Sequence, residues 1–309
     1  MALMFYSNED PPERWRSALT GLMPDLDFRV WPEVGDPGEI DVALVWKPPR
    51  GELRRYPNLR AILLLGAGVD AMMADDSLPD GVPMARMIDP SLTEGMTEFV
   101  LIAVLRHHRL LDHYERVQRE GRWDYIFPPQ ASERRVGVMG LGVLGGDAAR
   151  ALAAHGFPVA GWSRTPKAIE GIEGFHGGDG LAAFLARTDI LVCLLPLTPA
   201  TEGILNAETF ARLPKGAVVI NVARGRHLVD GDLIAALDTG HLAGATLDVF
   251  REEPLPPEHP FWRHPKILVT PHVASYTVPE AAAAGVVENI RRARAGAPLL
   301  GAVERGRGY

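Results

Sequence analysis

Short apolar runs alternate with helical patterns along almost the whole chain. In its first third, five short segments predict strands, at Leu3–Tyr6, Phe28–Trp31, Val42–Trp46, Ala61–Leu65 and Met84–Ile88. A helix is predicted over Pro11–Leu22, because proline is favoured at a helix start and Gly21 lies near the end. Strands that alternate with helices form parallel sheets with helical crossovers, so this part predicts a first, smaller α/β unit.

A long amphipathic pattern follows, from Thr97 to Glu120, and Gly121 ends it. It predicts one continuous helix with a wide apolar face, of the kind that bridges two domains or packs against a second subunit. The next segment, Trp123–Glu133, contains two adjacent prolines and is predicted to be a linker.

A second alternating unit begins at Arg134. Its six predicted strands are Val136–Met139, Val159–Trp162, Ile190–Leu195, Val218–Val222, Ala245–Val249 and Ile267–Thr270. Helices are predicted at Asp147–His155, at Leu181–Ala186, at Leu233–Leu237 with Asp230 as its cap, and at Glu280–Ala295. Six strands with helical crossovers predict a complete doubly wound parallel sheet.

Length and charge narrow the function classes. The 309 residues suffice for about two domains. With 32 basic against 39 acidic residues, the formal net charge is −7, so we expect no nucleic-acid or anionic-membrane partner. No apolar run approaches the ~18 residues that span a bilayer, and no secretory signal is recognised. The lone cysteine, Cys193, is compatible with a reducing compartment, and we expect a cytoplasmic protein.

A glycine-rich loop opens the second unit. The run from Val136 to Gly145 is a predicted strand that enters G-x-G-x-x-G, and a helix follows it. In this motif Gly140 permits the tight turn, Gly142 lets the backbone approach a pyrophosphate, and Gly145 lets helix and strand pack closely. The intervening Val143 and Leu144 are expected to contact the same ligand at the helix N-terminus. A structural glycine turn is the alternative.

The end of the next strand bears on which dinucleotide binds. Sites for NAD usually place Asp or Glu ~20 residues after the glycines, to hold the ribose 2′-hydroxyl. Here the strand ends in Ser163 and Arg164, with Lys167 close behind and no acid before Glu170. Ser163 and Arg164 suit a 2′-phosphate, so NADP(H) is the expected cofactor and NAD(H) the alternative. Arg164 and Lys167 could instead be ordinary solvated charges.

Three polar residues follow three successive late strands: Arg224, Glu253 and His272. The carboxyl ends of parallel strands line the ligand crevice, so we expect these side chains to converge. Protonated His272 can donate a proton to the oxygen of a 2-oxo acid that accepts hydride, and Glu253 favours that imidazolium. Arg224 can bind the substrate carboxylate and polarise the keto oxygen. Each residue alone could be structural, and Glu252 could replace Glu253 as the partner.

These motifs together resemble the D-isomer-specific 2-hydroxyacid dehydrogenases. The matching pieces, in family order, are the glycine loop, Leu65–Asp70, Asn221–Gly225, Leu247–Phe250 with Glu253–Leu255, and Thr270–Ala274. Trp162–Arg164, Arg251–Pro257 and Arg305–Tyr309 are similar to the NADPH-dependent glyoxylate/hydroxypyruvate reductase A branch of that family. The resemblance implies that Arg224, Glu253 and His272 are the catalytic trio, with glyoxylate and hydroxypyruvate as the leading substrates.

The resemblance implies further contacts. Backbone N–H groups of Ala67, Gly68 and Val69 would hold the substrate carboxylate, beside Arg224 and His272. Cofactor contacts would come from Leu195, Pro196, Thr201, Val222, Ala223, Arg224, Asp248, His272 and Ala274, with Asp248 at the nicotinamide carboxamide. Asp248 could instead cap the end of a helix or strand. Lys47 departs from expectation at the substrate pocket; it either favours a more acidic substrate or is solvated. The amino-acid sequence of Thr93–Met96 also departs from the family pattern.

The implied fold has two Rossmann-like domains and usually forms a homodimer. A dinucleotide-binding domain, residues 99–279, would be inserted in a smaller flavodoxin-like substrate domain, residues 1–98 plus 280–309. Two alternatives stay open: a dinucleotide-sensing binding protein on the same fold, and a dehydrogenase with a bulkier or more acidic substrate. A formate or phosphite dehydrogenase fits less well, because formate offers no carbonyl for His272 to protonate. We expect no metal, although His108 and Asp112 have a spacing that metals can use.

Overall fold

The computed structural model describes residues 1–304, which form two compact units. The first contains Met1–Leu92 and the segment from Tyr276 onward, and the second contains Thr93–Ser275. The chain thus leaves the first unit and returns to it. The sequence-based boundaries, at 98/99 and 279/280, lie slightly further along the chain. The ending Arg305–Tyr309, part of the family resemblance, lies outside the described residues.

The first unit is built on a parallel sheet of five strands in the order β2-β1-β3-β4-β5. These are β1 Ala2–Tyr6, β2 Asp27–Val30, β3 Ile40–Val45, β4 Ala61–Leu64 and β5 Met84–Ala85. Its helices are α1 Pro12–Leu22, α2 Asp70–Met73 and α9 Pro279–Ala295. All six residues of β3 are buried, as expected for a central strand covered on both faces. The last predicted strand is shorter than expected, since pairing stops at Ala85.

The second unit is a parallel sheet of seven strands in the order β12-β11-β10-β9-β6-β7-β8. The strands are β6 Val136–Met139, β7 Val159–Ser163, β8 Glu173–His176, β9 Ile190–Cys193, β10 Ala217–Asn221, β11 Leu242–Leu247 and β12 Ile267–Val269. The helices are α3 Pro90–His108, α4 Leu111–Arg119, α5 Val143–Ala154, α6 Gly177–Ala186, α7 Ala207–Arg212 and α8 Asp230–Asp238. The doubly wound sheet predicted from the sequence is therefore confirmed.

Three predictions about elements are wrong. The continuous helix is two helices, since Leu110 adopts a left-handed conformation (φ 57°) between α3 and α4. Strand β8 was missed because its residues, Glu-Gly-Phe-His, include no apolar run and none is buried. Asp230 is the first residue of α8 rather than its cap, which is Val229.

The division between α3 and α4 has an electrostatic rationale. Arg106, His107 and His108 lie in the last turn of α3, and Asp112 lies in the first turn of α4. The cation Arg106 and the anion Asp112 each suit the helix end where they lie, so the sequence is compatible with a C-terminus and a new N-terminus at this point. Within residues 1–304, every helix is too short or too polar to cross a bilayer.

Candidate active site at the carboxyl ends of the second sheet

The glycine loop joins β6 to α5. Gly140 has φ +101°, and a Cβ there would lie 2.6 Å from the Leu194 carbonyl oxygen. A Cβ at Gly145 would lie 1.8 Å from the Gly140 carbonyl oxygen, so neither position tolerates a side chain. Gly142 is the N-cap of α5, and a Cβ there would meet no atom within 4 Å. The loop thus exposes backbone at the positive end of a helix, which fits a dinucleotide pyrophosphate.

The residues predicted to select NADP(H) lie at the end of β7 and in the loop behind it. Ser163 is the last residue of β7 and is buried, and its Oγ donates to the Thr165 carbonyl oxygen at 2.8 Å. Its hydroxyl proton therefore makes a hydrogen bond within the loop. Arg164 and Lys167 are exposed on the same loop. All three residues thus lie at the carboxyl end of β7 or in the loop that follows it.

The turn that carries Arg224 follows β10. Buried Asn221 closes it, because Asn221 Nδ2 donates to the Arg224 carbonyl oxygen at 3.0 Å and Oδ1 accepts from Ala223 N at 3.2 Å. Arg224 Nη1 donates to the Ala223 carbonyl oxygen at 2.6 Å. Val222 and Ala223, both predicted cofactor contacts, are buried in this turn. Sequence inspection did not assign a role to Asn221.

Glu253 and His272 are brought together from the loops that follow β11 and β12. His272 Nδ1 lies 2.8 Å from Glu253 Oε2, and the side chains are 36% and 30% exposed. Glu253 Oε1 accepts from Phe250 N at 2.9 Å, which fixes the carboxylate. The predicted pairing with Glu253 is therefore observed, and not the alternative pairing with Glu252. With Nδ1 directed at the carboxylate, Nε2 is the nitrogen left to face a ligand.

Asp248 holds the loop after β12 by hydrogen bonds. Its side chain is fully buried at the end of β11 and accepts from Thr270 Oγ1 at 2.6 Å, Val273 N at 2.9 Å and Ala274 N at 2.8 Å. Burial raises the pKa of Asp248, and these three hydrogen bonds act in the opposite direction. Both carboxylate oxygens thus hold the loop that contains His272.

That support matters because His272 is strained. Its φ is 55°, in the left-handed region that side chains other than glycine rarely adopt. Such strain costs on the order of 1–3 kcal/mol and persists only where the surroundings enforce it. His272 N donates to the Asp248 carbonyl oxygen at 2.8 Å, so one residue fixes the turn through both backbone and side chain. Sequence inspection assigned no role to Thr270.

The loop after β9 supplies the remaining predicted cofactor contacts. Leu195 is buried, and Pro196 is exposed. Thr201 Oγ1 donates to the Pro196 carbonyl oxygen at 2.7 Å and accepts from Thr198 N at 2.9 Å, which closes this loop. Thr201 therefore fixes the conformation of this loop, independently of any contact that it makes with a ligand.

The predicted substrate loop, Ala67–Val69, belongs to the first unit, where it follows β4. Gly66 precedes it, and a Cβ there would lie 2.8 Å from the Trp46 ring. Lys47 has φ 45°, and its Nζ lies 3.5 Å from Glu9 Oε1 and 5.4 Å from the centre of the Trp46 ring. The positive charge of Lys47 is thus balanced by a carboxylate.

In the described part of the chain, no group of three His, Cys, Asp or Glu side chains could hold a metal ion.

Comparison with known proteins decides the family. A model for the NAD-binding domain of D-isomer-specific 2-hydroxyacid dehydrogenases matches residues 101–274. The chain belongs to this family. It is therefore an NAD(P)-dependent oxidoreductase, and the resemblance seen in its motifs is confirmed.

Full-length relatives agree with this assignment. A glyoxylate/hydroxypyruvate reductase A from Yersinia enterocolitica is 43% identical over 100% of both chains. A family member from Xanthobacter autotrophicus Py2, solved with NADPH and MES, is 54% identical with a TM-score of 0.96 over 100% of this chain and 99% of that one. An NADPH-dependent glyoxylate/hydroxypyruvate reductase from Sinorhizobium meliloti, solved with NADP and sulfate, is 42% identical with a TM-score of 0.94 over both complete chains.

Proposed function

We propose that this dehydrogenase reduces small 2-oxo acids with NADPH, converting glyoxylate to glycolate and hydroxypyruvate to D-glycerate. The observation that carries the proposal is the 2.8 Å contact between His272 Nδ1 and Glu253 Oε2 at the carboxyl end of the sheet. The two glyoxylate/hydroxypyruvate reductases named above support the choice of substrates.

The roles follow from charge. Bound NADPH supplies the hydride, which leaves negative charge on the former keto oxygen. His272 Nε2 donates a proton to that oxygen, while Glu253 stabilises the imidazolium and keeps Nδ1 protonated. Arg224 binds the substrate carboxylate. General acid catalysis of this kind is worth roughly 10²–10⁴ in rate.

The test is NADPH consumption on addition of each 2-oxo acid. Wild type should consume NADPH with glyoxylate and hydroxypyruvate, and His272→Ala should lose roughly 10²–10⁴ in kcat while NADPH still binds. His155→Ala is the matched control, because His155 is an exposed histidine at the end of α5. An inactive wild type that still binds NADPH would favour a sensor. Unchanged turnover in His272→Ala would remove this residue as the acid.

For the cofactor, we propose that Arg164 recognises the 2′-phosphate of NADPH, with Ser163 and Lys167 beside it. Both solved relatives described above hold NADPH or NADP. Arg164→Ala should lower kcat/KM for NADPH by roughly 10–100-fold and leave NADH use nearly unchanged, because NADH has no such phosphate. Lys215→Ala, an exposed cation elsewhere in this unit, is the control. Equal use of both cofactors by the wild type contradicts the assignment.

We propose that the protein is a homodimer. Trp123, Tyr125 and Phe127 are 99%, 67% and 82% exposed in the segment after α4, and Ile102 of α3 is 66% exposed. Large apolar side chains gathered in one segment are typical of a protein interface. Trp123→Asp with Phe127→Asp should give a monomer in light scattering. Leu22→Asp, at an exposed apolar residue of α1, should not. A monomeric wild type contradicts the proposal.

The cytoplasm is the location that we propose. The described residues contain one cysteine, Cys193, which is buried. Burial raises the pKa of its thiol to about 12, so the thiol stays protonated and inert. A protein that needs no disulfide suits a reducing compartment. Fractionation of cells that express the natural protein tests this, and recovery outside the cytoplasm would contradict it.

A further inference from the structure

His227 is a buried polar residue for which the proposed chemistry has no use. It is completely buried and ends the short 3-10 turn Gly225–His227, directly after Arg224. Its Nε2 lies 3.3 Å from the Pro196 carbonyl oxygen, and its Nδ1 lies 3.2 Å from the Arg224 carbonyl oxygen. The ring therefore spans the space between the turn after β10 and the loop after β9.

The donors already present at the two oxygens favour Nε2 as the ring nitrogen that donates the hydrogen bond. The Arg224 oxygen accepts from Asn221 Nδ2 at 3.0 Å and from His227 N at 3.2 Å, which uses both lone pairs. The Pro196 oxygen accepts from Thr201 Oγ1 at 2.7 Å and has one lone pair left. A neutral imidazole has a single N–H. On Nε2 that N–H can donate to the Pro196 oxygen, whereas on Nδ1 it would face the Arg224 oxygen, which already accepts two hydrogen bonds.

Backbone hydrogen bonds join the same two segments beside the ring. Gly203 N donates to the Arg226 carbonyl oxygen at 2.9 Å, and Leu205 N donates to the His227 carbonyl oxygen at 2.9 Å. These bonds fix the far end of the loop after β9. The imidazole is the contact at its near end, where the predicted cofactor residues Leu195 and Pro196 lie.

We propose that His227 is a positioning residue that holds the turn of Arg224 and the loop of Pro196 in register through its Nε2–H. The inference rests on the proposed function, in which one segment binds substrate and the other binds NADPH. Because the ring fixes both segments, its loss displaces both ligands' binding groups. It leaves the direct contacts of the His272–Glu253 pair intact, since the loops after β11 and β12 make those contacts.

A substitution series separates this role from simple core packing. His227→Phe fills the volume but removes the N–H, and His227→Gln keeps a donor that can reach Pro196. In His227→Phe we expect KM for hydroxypyruvate and for NADPH to rise roughly 10–100-fold, the effect of one lost buried hydrogen bond, with a smaller change in kcat. His227→Gln should recover most of this loss.

His107→Phe is the matched control, because His107 is a buried histidine of the same unit whose Nε2 contacts Thr246 Oγ1 at 2.9 Å, outside the proposed machinery. It should destabilise the protein with little change in either KM. Unchanged KM values in His227→Phe would overturn the proposal. So would an equal rise of both KM values in His107→Phe, or KM values in His227→Gln as high as those in His227→Phe.

A spectroscopic measurement tests the bridge without any substitution or turnover. In ¹⁵N-histidine NMR of the wild-type protein, His227 should show a slowly exchanging proton on Nε2 and no proton on Nδ1. His227→Gln identifies the resonance. A ring protonated on Nδ1 alone would overturn the proposal even if His227→Phe fails to fold. If the wild type reduces no 2-oxo acid, the proposed function fails, and this measurement still decides whether the bridge exists.

Discussion

The charge of Glu253 is the feature of the site whose removal has the most specific consequence. Glu253→Gln keeps the side-chain length and an oxygen that can accept from Phe250 N, now 2.9 Å away. It removes the negative charge 2.8 Å from His272 Nδ1. In the reductive direction His272 is the acid, and the carboxylate stabilises the positive charge of its imidazolium. Without the carboxylate the imidazolium is less stable, so the reductive reaction is slower.

The size of the loss follows from the exposure of the pair. Two unit charges 4 Å apart interact by about 1 kcal/mol in water and by about 4 kcal/mol at an effective dielectric constant of 20. His272 and Glu253 are 36% and 30% exposed, so solvent screens much of the interaction. An energy of about 1–2 kcal/mol corresponds to a loss of roughly 5–30-fold in rate.

The assay is reductive kcat/KM for hydroxypyruvate at saturating NADPH. This ratio should be roughly 5–30-fold lower in Glu253→Gln than in wild type. Glu252→Gln is the control, because it removes the neighbouring exposed carboxylate. Equal ratios in wild type and Glu253→Gln, or a loss in Glu252→Gln alone, would refute the reasoning.

Three further perturbations test the surrounding structure. Gly140→Ala should lower the melting temperature and abolish NADPH binding, because φ is +101° and the added Cβ meets backbone atoms. Gly142→Ala is the control for folding, because its added Cβ meets no atom within 4 Å. It should keep the wild-type melting temperature and bind NADPH more weakly in calorimetry. Asp248→Asn places an amide where two backbone N–H groups and a hydroxyl donate, so steady-state kcat should fall at least about tenfold in a folded protein. Burial lowers the pKa of His107 to about 4, below its ordinary 6.5, so the unfolded chain binds this proton first as pH falls. In urea titrations, the free energy of unfolding of wild type should therefore fall by up to about 3 kcal/mol between pH 6.5 and about pH 4. His107→Gln should lack this part of the pH dependence.

Buried strands were predictable because burial leaves a clear sequence pattern. The strands β3 and β9 are covered on both faces and read as continuous apolar runs. Elements whose position is set by other forces were missed. The edge strand β8 is polar, and its register follows from pairing between Ser163 and His176 rather than from burial. The break at Leu110 depends on a single left-handed residue, which periodicity does not reveal.

The same distinction holds within the candidate site. Arg224, Glu253 and His272 could be identified because each follows a predicted strand, and parallel strands place such residues at one edge. Asn221, His227 and Thr270 could not, because their roles depend on hydrogen bonds to neighbouring loops. The role of Asp248 was assigned from resemblance, and its three hydrogen bonds became visible only when β11 and β12 were placed side by side.

The order of the last three strands explains why these contacts matter together. Strands β10, β11 and β12 are neighbours, and each following loop is fixed by the next. A Cβ at Gly225, beside Arg224, would lie 1.8 Å from the Phe250 carbonyl carbon, so the first turn rests on the backbone of the second loop. Phe250 N holds Glu253, which in turn contacts His272. A side chain at position 225 must therefore displace the acid–base pair as well as the guanidinium, although it touches neither.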